Sequence, residues 1–173
     1  MTLDRPNTDE YSAFFAGYVN RVPDGDVLAL LETEFAQDIN VLKALGEARK
    51  LERYAPDKWS VVQIVQHTVD AERVFTFRAL HVARGDGSPL PGFDQDAWLA
   101  TADAEHRTLG DVLEEWRSVR ASSLGLFRSF TSAMWTRRGV VNGNPITPRA
   151  LAFITLGHEL HHRAVLRERY GIG

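Results

Sequence analysis

An all-α fold is predicted, a four-helix bundle with a short extra N-terminal helix. Three observations predict it: apolar residues recur every three or four positions over four long stretches, strict two-residue alternation persists nowhere, and segments rich in Gly, Pro and Asp separate the stretches. A chain of 173 residues suffices for one domain with a sizeable core and is short for two, so residues 1–173 are read as a single domain. No internal repeat or low-complexity tract is evident.

From about Asp9 to Asn20, the spacing of Tyr11, Phe14, Phe15 and Tyr18 predicts a short helix, stopped by Pro23, Asp24 and Gly25, that serves as a lid or packing arm. Asp26 can then cap the first long helix, whose stripe runs through Val27, Leu30, Leu31, Glu34, Phe35, Asp38, Val41, Leu42 and Leu45 to Gly46. Ser60 is placed to cap a second helix reaching about Arg84, with Val61, Ile64, Val65, His67, Ala71, Val74, Phe75 and Leu80 on its covered side.

The RGDGSPLPGFDQDAW segment must leave that helix and form a surface loop, a natural wall or rim, before a short turn around Asp96 to Ala100. A third helix is expected from about Thr108 to Thr131, on the rhythm of Leu109, Val112, Leu113, Trp116, Val119, Leu124, Phe127 and Phe130. VVNGNPITP breaks it. Thr147 followed by Pro148 starts the fourth, because Thr accepts from free N–H groups and proline tolerates the first helical position; it runs to about Tyr170 and ends at Gly171. The connection between the second and third long helices is long enough for a crossover, so pattern alone leaves up-down-down-up and simple antiparallel order both open.

Hydrophobic residues at 44% and charged residues at 25% match an ordinary globular protein and exclude a disordered or fibrous chain. A net charge of -3 carries no basic footprint for nucleic acid, so none is expected as a partner. With no cysteine, disulfides, thiolate ligands and a cysteine nucleophile are excluded together, and any metal must be held by His, Asp, Glu and water. The first twenty residues do not read as a signal peptide and no run of about twenty apolar residues occurs, so no membrane partner and a cytoplasmic location are expected.

Three histidines carry the chemistry. His158 and His162 lie four residues apart in LAFITLGHELHHRAVLRERY, within the stripe Leu151, Ile154, Thr155, His158, His162 and Val165, so both imidazoles face the bundle interior roughly 6 Å of rise apart. Dehydrated ring nitrogens need partners, and a metal supplies one; the pair can equally be core residues hydrogen-bonded to each other or to water. His67 falls in the apolar register of the second long helix, where a lone histidine is more often a satisfied core residue. If the second and fourth helices face each other, the three form a facial triad at about 2.0–2.1 Å from a cation, with at least one position left open for water or substrate.

His161 points about 100° away from His162 and is read as rim. His81 and His106 are read as solvated. Glu72 and Glu159 could orient imidazoles or shuttle protons, although charged helix positions are usually solvated faces. Trp59, Trp98, Trp116 and Trp135 are read as core and hinge packing, with pocket lining as the alternative. Arg149 and Arg163 are candidates to hold an anionic group near the metal.

The segments RYAPDKWSVVQIVQHTVDAERVFTFRAL, PLPGFDQDAW and RALAFITLGHELHHRAVLRERY resemble the DinB family, in particular its branch of YfiT-like metal-dependent hydrolases and bacillithiol-type S-transferases. The resemblance covers most of the chain from about Tyr11. It implies an up-down-down-up bundle, a homodimer in many members, and a divalent metal held by three histidines, which match His67, His158 and His162.

The function expected is that of a metal-dependent enzyme, transferring a small-molecule thiol to an electrophile or hydrolysing a small substrate through a metal-bound thiolate or water. The cofactor is a divalent ion, zinc or nickel ahead of iron or manganese, because imidazole suits several of them. Partners are a small-molecule substrate and a low-molecular-weight thiol. The alternatives are a non-catalytic, metal-stabilised bundle acting as a stress-related binding module, in which Asp70 or Glu72 closes the metal's shell, and a metal-free carrier, which leaves the interior imidazoles unexplained.

Overall fold

The computed structural model describes residues 3–173. The N-terminal arm is not one helix over Asp9–Asn20. Two 3₁₀ turns, Thr8–Glu10 and Ala13–Phe15, precede a one-turn helix α1 (Ala16–Val19), because Tyr11 and Ser12 are extended and the Ser12 side chain accepts from the Phe14 N–H. A serine hydroxyl that captures a backbone donor restarts the chain instead of continuing a helix.

The four long helices begin where side-chain oxygens satisfy their first N–H groups. Asp26 accepts from Leu28 N–H at the start of α2 (Val27–Leu45). Ser60 and Gln63 form a reciprocal capping box at the start of α3 (Val61–Ala83). The crossover carries a short α4 (Gln95–Thr101), capped by Asp94, before Thr108 opens α5 (Leu109–Arg128).

α5 ends three residues short of the expected Thr131, which instead caps a one-turn α6 (Ser132–Trp135). Thr147 accepts from Ala150 N–H with Pro148 in the first turn of α7 (Pro148–Tyr170), and Gly171, at φ 65°, ends it. The segment expected only to break a helix forms a hairpin, β1 (Gly139–Val141) paired antiparallel with β2 (Asn144–Ile146). Asn142 and Gly143 both have positive φ, 48° and 72°, as a tight two-residue hairpin turn requires. Leu90 of the crossover exchanges backbone hydrogen bonds with Val140 and Asn142, so loop and hairpin are fastened together.

Cross-helix pairs fix the directions. From α3 to α5 the partners rise together, Glu72 with Arg120 and Thr76 with Ser123, so these helices are parallel. From α2 to α5 they run oppositely, Glu32 with Arg128 and Lys43 with Glu114. α3 and α7 are antiparallel, since Trp59 just before α3 accepts from the Tyr170 hydroxyl at the end of α7 while Phe75, further along α3, packs on His158. The result is up-down-down-up, with the crossover joining the two parallel neighbours.

The apolar interior lies in two clusters. One gathers Val19, Leu31, Phe75, Phe127 and Ile154; the other gathers Ile39, Val65, Leu113, Trp116 and Leu166. Between them runs a polar stratum holding Glu72, Arg120, Glu159 and the histidines. Among the described residues no helix is long and apolar enough to cross a membrane.

Candidate functional site

Antiparallel packing of α3 against α7 brings His67 opposite His158, and one helical turn carries His162 to the same point. The Nε2 atom of His158 lies 3.0 Å from that of His67 and 3.1 Å from that of His162. The three histidines form a group that could hold a metal ion, with ligand atoms within 4.8 Å of one another. Two nitrogens each about 2.1 Å from one cation stand about 3.0–3.4 Å apart for angles from right to tetrahedral, so the two spacings from His158 fit.

Hydrogen bonding alone leaves this arrangement incomplete. Each neutral ring has one lone pair and one N–H, and the single lone pair of His158 Nε2 is poorly suited to take both neighbours' protons. A cation accepts all three lone pairs at once. Burial holds the rings neutral and ready to donate them: His67 is lowered to about 4 by desolvation, which outweighs the opposing field of Asp96. His158 and His162 fall well below the ordinary imidazole value, first from burial and then from the neighbouring histidines.

Aromatic rings hold the imidazoles in place. Trp59 lies against His67 at 4.8 Å between ring centroids and stacks on His162 at 6.3 Å; Phe75 and Tyr18 meet His158 edge-on at 5.5 and 5.4 Å. Trp59 is therefore a site residue, while Trp116 and Trp135 are core and Trp98 is exposed. His161 packs on Tyr18 and His162 at the rim, and His106 is exposed. His81 is not simply solvated: its Nε2 lies 2.9 Å from the Ser88 carbonyl oxygen.

The triad opens into a cavity of about 350 Å³. Its walls come from Phe14, Phe15 and Tyr18 of the arm, Phe75 and Arg78 of α3, Phe93 of the crossover and the hairpin around Asn142. The arm packs over the cavity and the crossover loop contributes to its wall through Gly92, Phe93 and Gln95, while burial raises the Tyr18 phenol so that it keeps its proton.

Several charged residues stand elsewhere than expected. Glu72 and Glu159 are not on solvated faces; both are buried on Arg120, a residue the sequence reading passed over. Arg120 donates from Nε and Nη2 to Glu72 at 2.9 and 2.8 Å, from Nη2 to Glu159 at 2.7 Å and from Nη1 to the Leu31 carbonyl at 2.6 Å. Trp116 also donates to Glu72, at 3.1 Å. Burial pushes Glu159 up to about 8, against the pull of Arg120.

Glu72 is consequently committed to Arg120 and does not close the metal's shell, and Asp70 faces Gln66 and Arg73. Nor are Arg149 and Arg163 free to hold an anion: Arg149 is bound to Glu10, and Arg163 to Glu34 and, at 2.5 Å, to Asp38. The clue to the buried pairs lay in register, since Arg120 follows Trp116 by one turn on the apolar stripe of α5.

No curated protein matches the sequence. Among solved structures, YfiT from Bacillus subtilis, described as a probable metal-dependent hydrolase with an unusual four-helix bundle topology, superposes with a TM-score of 0.71 at 18% identity, over 98% of this chain and 95% of its own. A mycothiol-dependent maleylpyruvate isomerase superposes with a TM-score of 0.66 at 11% identity, over 84% of this chain and 61% of its own. At these identities the likeness is one of fold. The family model of the DinB superfamily matches residues 30–166, and the chain belongs to that superfamily.

Proposed function

We propose that this protein is a metal-dependent enzyme in which His67, His158 and His162 hold a divalent ion, zinc or nickel foremost, and that it transfers a small-molecule thiol to an electrophile or hydrolyses a small substrate. The observation that carries the reading is the convergence of three neutral imidazoles on one point of a cavity wall, with no fourth acidic or histidine side chain joining the group among the described residues. Three protein ligands leave the rest of the shell to solvent or substrate, the form of a reactive site. The carboxylates that could have closed it are engaged elsewhere.

A divalent ion bound there supplies Lewis acidity, lowering the pKa of a water or thiol that joins it. The chain's own residues supply the rest. Trp59, Phe75 and Tyr18 hold the imidazoles in place and line the cavity beside them. Tyr18, protonated and lining the cavity, can donate a hydrogen bond or a proton to a leaving group. With no cysteine in the chain, a thiol must arrive as a cosubstrate. One structural neighbour is described as mycothiol-dependent and the other as a probable metal-dependent hydrolase, which supports carrying both reactions forward.

The test is turnover by the metal-loaded protein of a chromogenic electrophile with a panel of low-molecular-weight thiols, and of activated esters without thiol. Thiol-dependent product that disappears in His158→Ala supports transfer, and ester cleavage that disappears in the same variant supports hydrolysis. Metal bound without turnover of either kind would leave a metal-stabilised binding module. A homodimer and a cytoplasmic site of action complete the proposal, the first checked by light scattering of the purified protein.

A further inference from the structure

Arg78 is only 6% exposed, yet it has no counter-ion. Nη2 donates to the Pro91 carbonyl at 2.9 Å, and the guanidinium lies 5.6 Å from the Phe93 ring centroid. Among the described residues no carboxylate pairs with it, whereas Arg120, the other deeply buried arginine, has two. Its remaining N–H groups are not sealed in protein, because among the described residues the only enclosed side-chain nitrogen or oxygen atoms lacking a partner are Arg117 Nε and Glu159 Oε1. They face open space.

That space includes the cavity of the triad, whose lining contains Arg78 and no Asp or Glu. Arg78 is the one Asp, Glu, Lys or Arg side chain in that lining. A guanidinium withdrawn from water without an anion is costly, and a carboxylate offering two oxygens to its planar fork relieves that cost. A single cation among aromatic walls suits a monoanion better than a phosphate.

Arg78 follows His67 by eleven residues on α3, about three turns, so both lie on one face, roughly 16 Å apart in rise, with the long side chain leaning back toward His67. Resting on the reading of this cavity as the substrate site, we infer that it takes an extended apolar or aromatic carboxylate, anchored by Arg78 at the end remote from the histidines.

The probe is a matched pair, 2-naphthylacetate and 2-naphthylacetamide, titrated calorimetrically into the full chain, both chelator-treated and zinc-loaded. The carboxylate is expected to bind at least about tenfold more tightly than the amide in both forms. In Arg78→Gln the two should come within about twofold, and Arg78→Lys should restore part of the difference, with helical content unchanged by circular dichroism. Equal affinities in the parent, no binding of either compound, or a preference that survives in Arg78→Gln would overturn the assignment. A preference confined to the zinc-loaded protein would also overturn it, because the carboxylate would then sit on the metal.

Arg78 also borders an outer groove along Phe77 and Trp98. Fluorescence quenching by the probe that is lost in Trp98→Phe but not in Trp59→Phe would place it there and reject the inference. The binding result does not depend on turnover, so failure of the enzyme reading remains separate.

Discussion

The backbone of Tyr18 crosses α7 at Gly157 so closely that a Cβ on residue 157 would stand 2.1 Å from the Tyr18 carbonyl oxygen. The obstacle is main chain, so no rotamer change relieves it. Gly157→Ala is therefore expected to push α1 off α7 and to cost about 1–3 kcal/mol, as overpacking does. Because Tyr18 and Phe15 wall the cavity, the variant should also bind cavity ligands more weakly. Urea denaturation measures the first effect, and a variant of parental stability would show that the arm does not pack as described.

Arg120, 2% exposed, is held between two acidic side chains from two other helices, Glu72 and Glu159. Arg120→Met would leave the Glu72 carboxylate buried without its cation and Glu159 without its hydrogen-bond donor, and a loss of about 3–5 kcal/mol is expected from such a broken pair. The comparison is Arg120→Met against the triple variant Arg120→Met, Glu72→Gln, Glu159→Gln, which should recover part of the loss. Equal stability of the parent and the single variant would contradict the buried network.

Glu10 ties the arm to the start of α7 through Arg149 and Thr147. Burial alone would raise its pKa, but hydrogen bonds from Arg149, Asn7 N–H and Thr147 outweigh it and hold Glu10 below its ordinary 4.5. A carboxylate with a depressed folded-state pKa contributes stability that is fully present above the unfolded value and is lost as pH falls through the folded one. The parent should thus exceed Arg149→Ala in stability at pH 7, and the gap should narrow below about pH 4.5. Urea midpoints at pH 7 and pH 3 decide it; a gap of the same size at both would be inconsistent with an ionised Glu10.

Trp59 touches two of the three histidines, so it should report on their occupancy. Nickel added to chelator-treated protein is expected to quench a component of tryptophan emission that is missing in Trp59→Phe. Quenching of equal size in that variant would place the metal away from the triad.

Much of this was legible in the chain. Asp26, Ser60 and Thr147-Pro148 announce helix starts because capping is local chemistry, and the stripes of α3 and α7 put His67, His158 and His162 on interior faces before any packing is known. The arm misled because its aromatic spacing suits a helix while Ser12 diverts the backbone. The hairpin was signalled by Asn142-Gly143 but hidden by strands of only three residues and by Pro145. Arg120 and Arg78 were not legible as site or core residues, since whether a charged side chain is solvated, paired or stranded depends on what other helices and loops bring to it. Glu72 reaches Arg120 from α3 and Glu159 from α7, whereas among the described residues nothing acidic pairs with Arg78.

The central claim is that three imidazoles bind one ion. Its most direct measurement is the metal content of the purified protein by elemental analysis, beside His67→Ala, His158→Ala and His162→Ala variants of confirmed helical content. The account predicts about one equivalent of a divalent ion per chain in the parent, with affinity reduced at least about tenfold in each variant. Full stoichiometry at undiminished affinity in all three variants would contradict it.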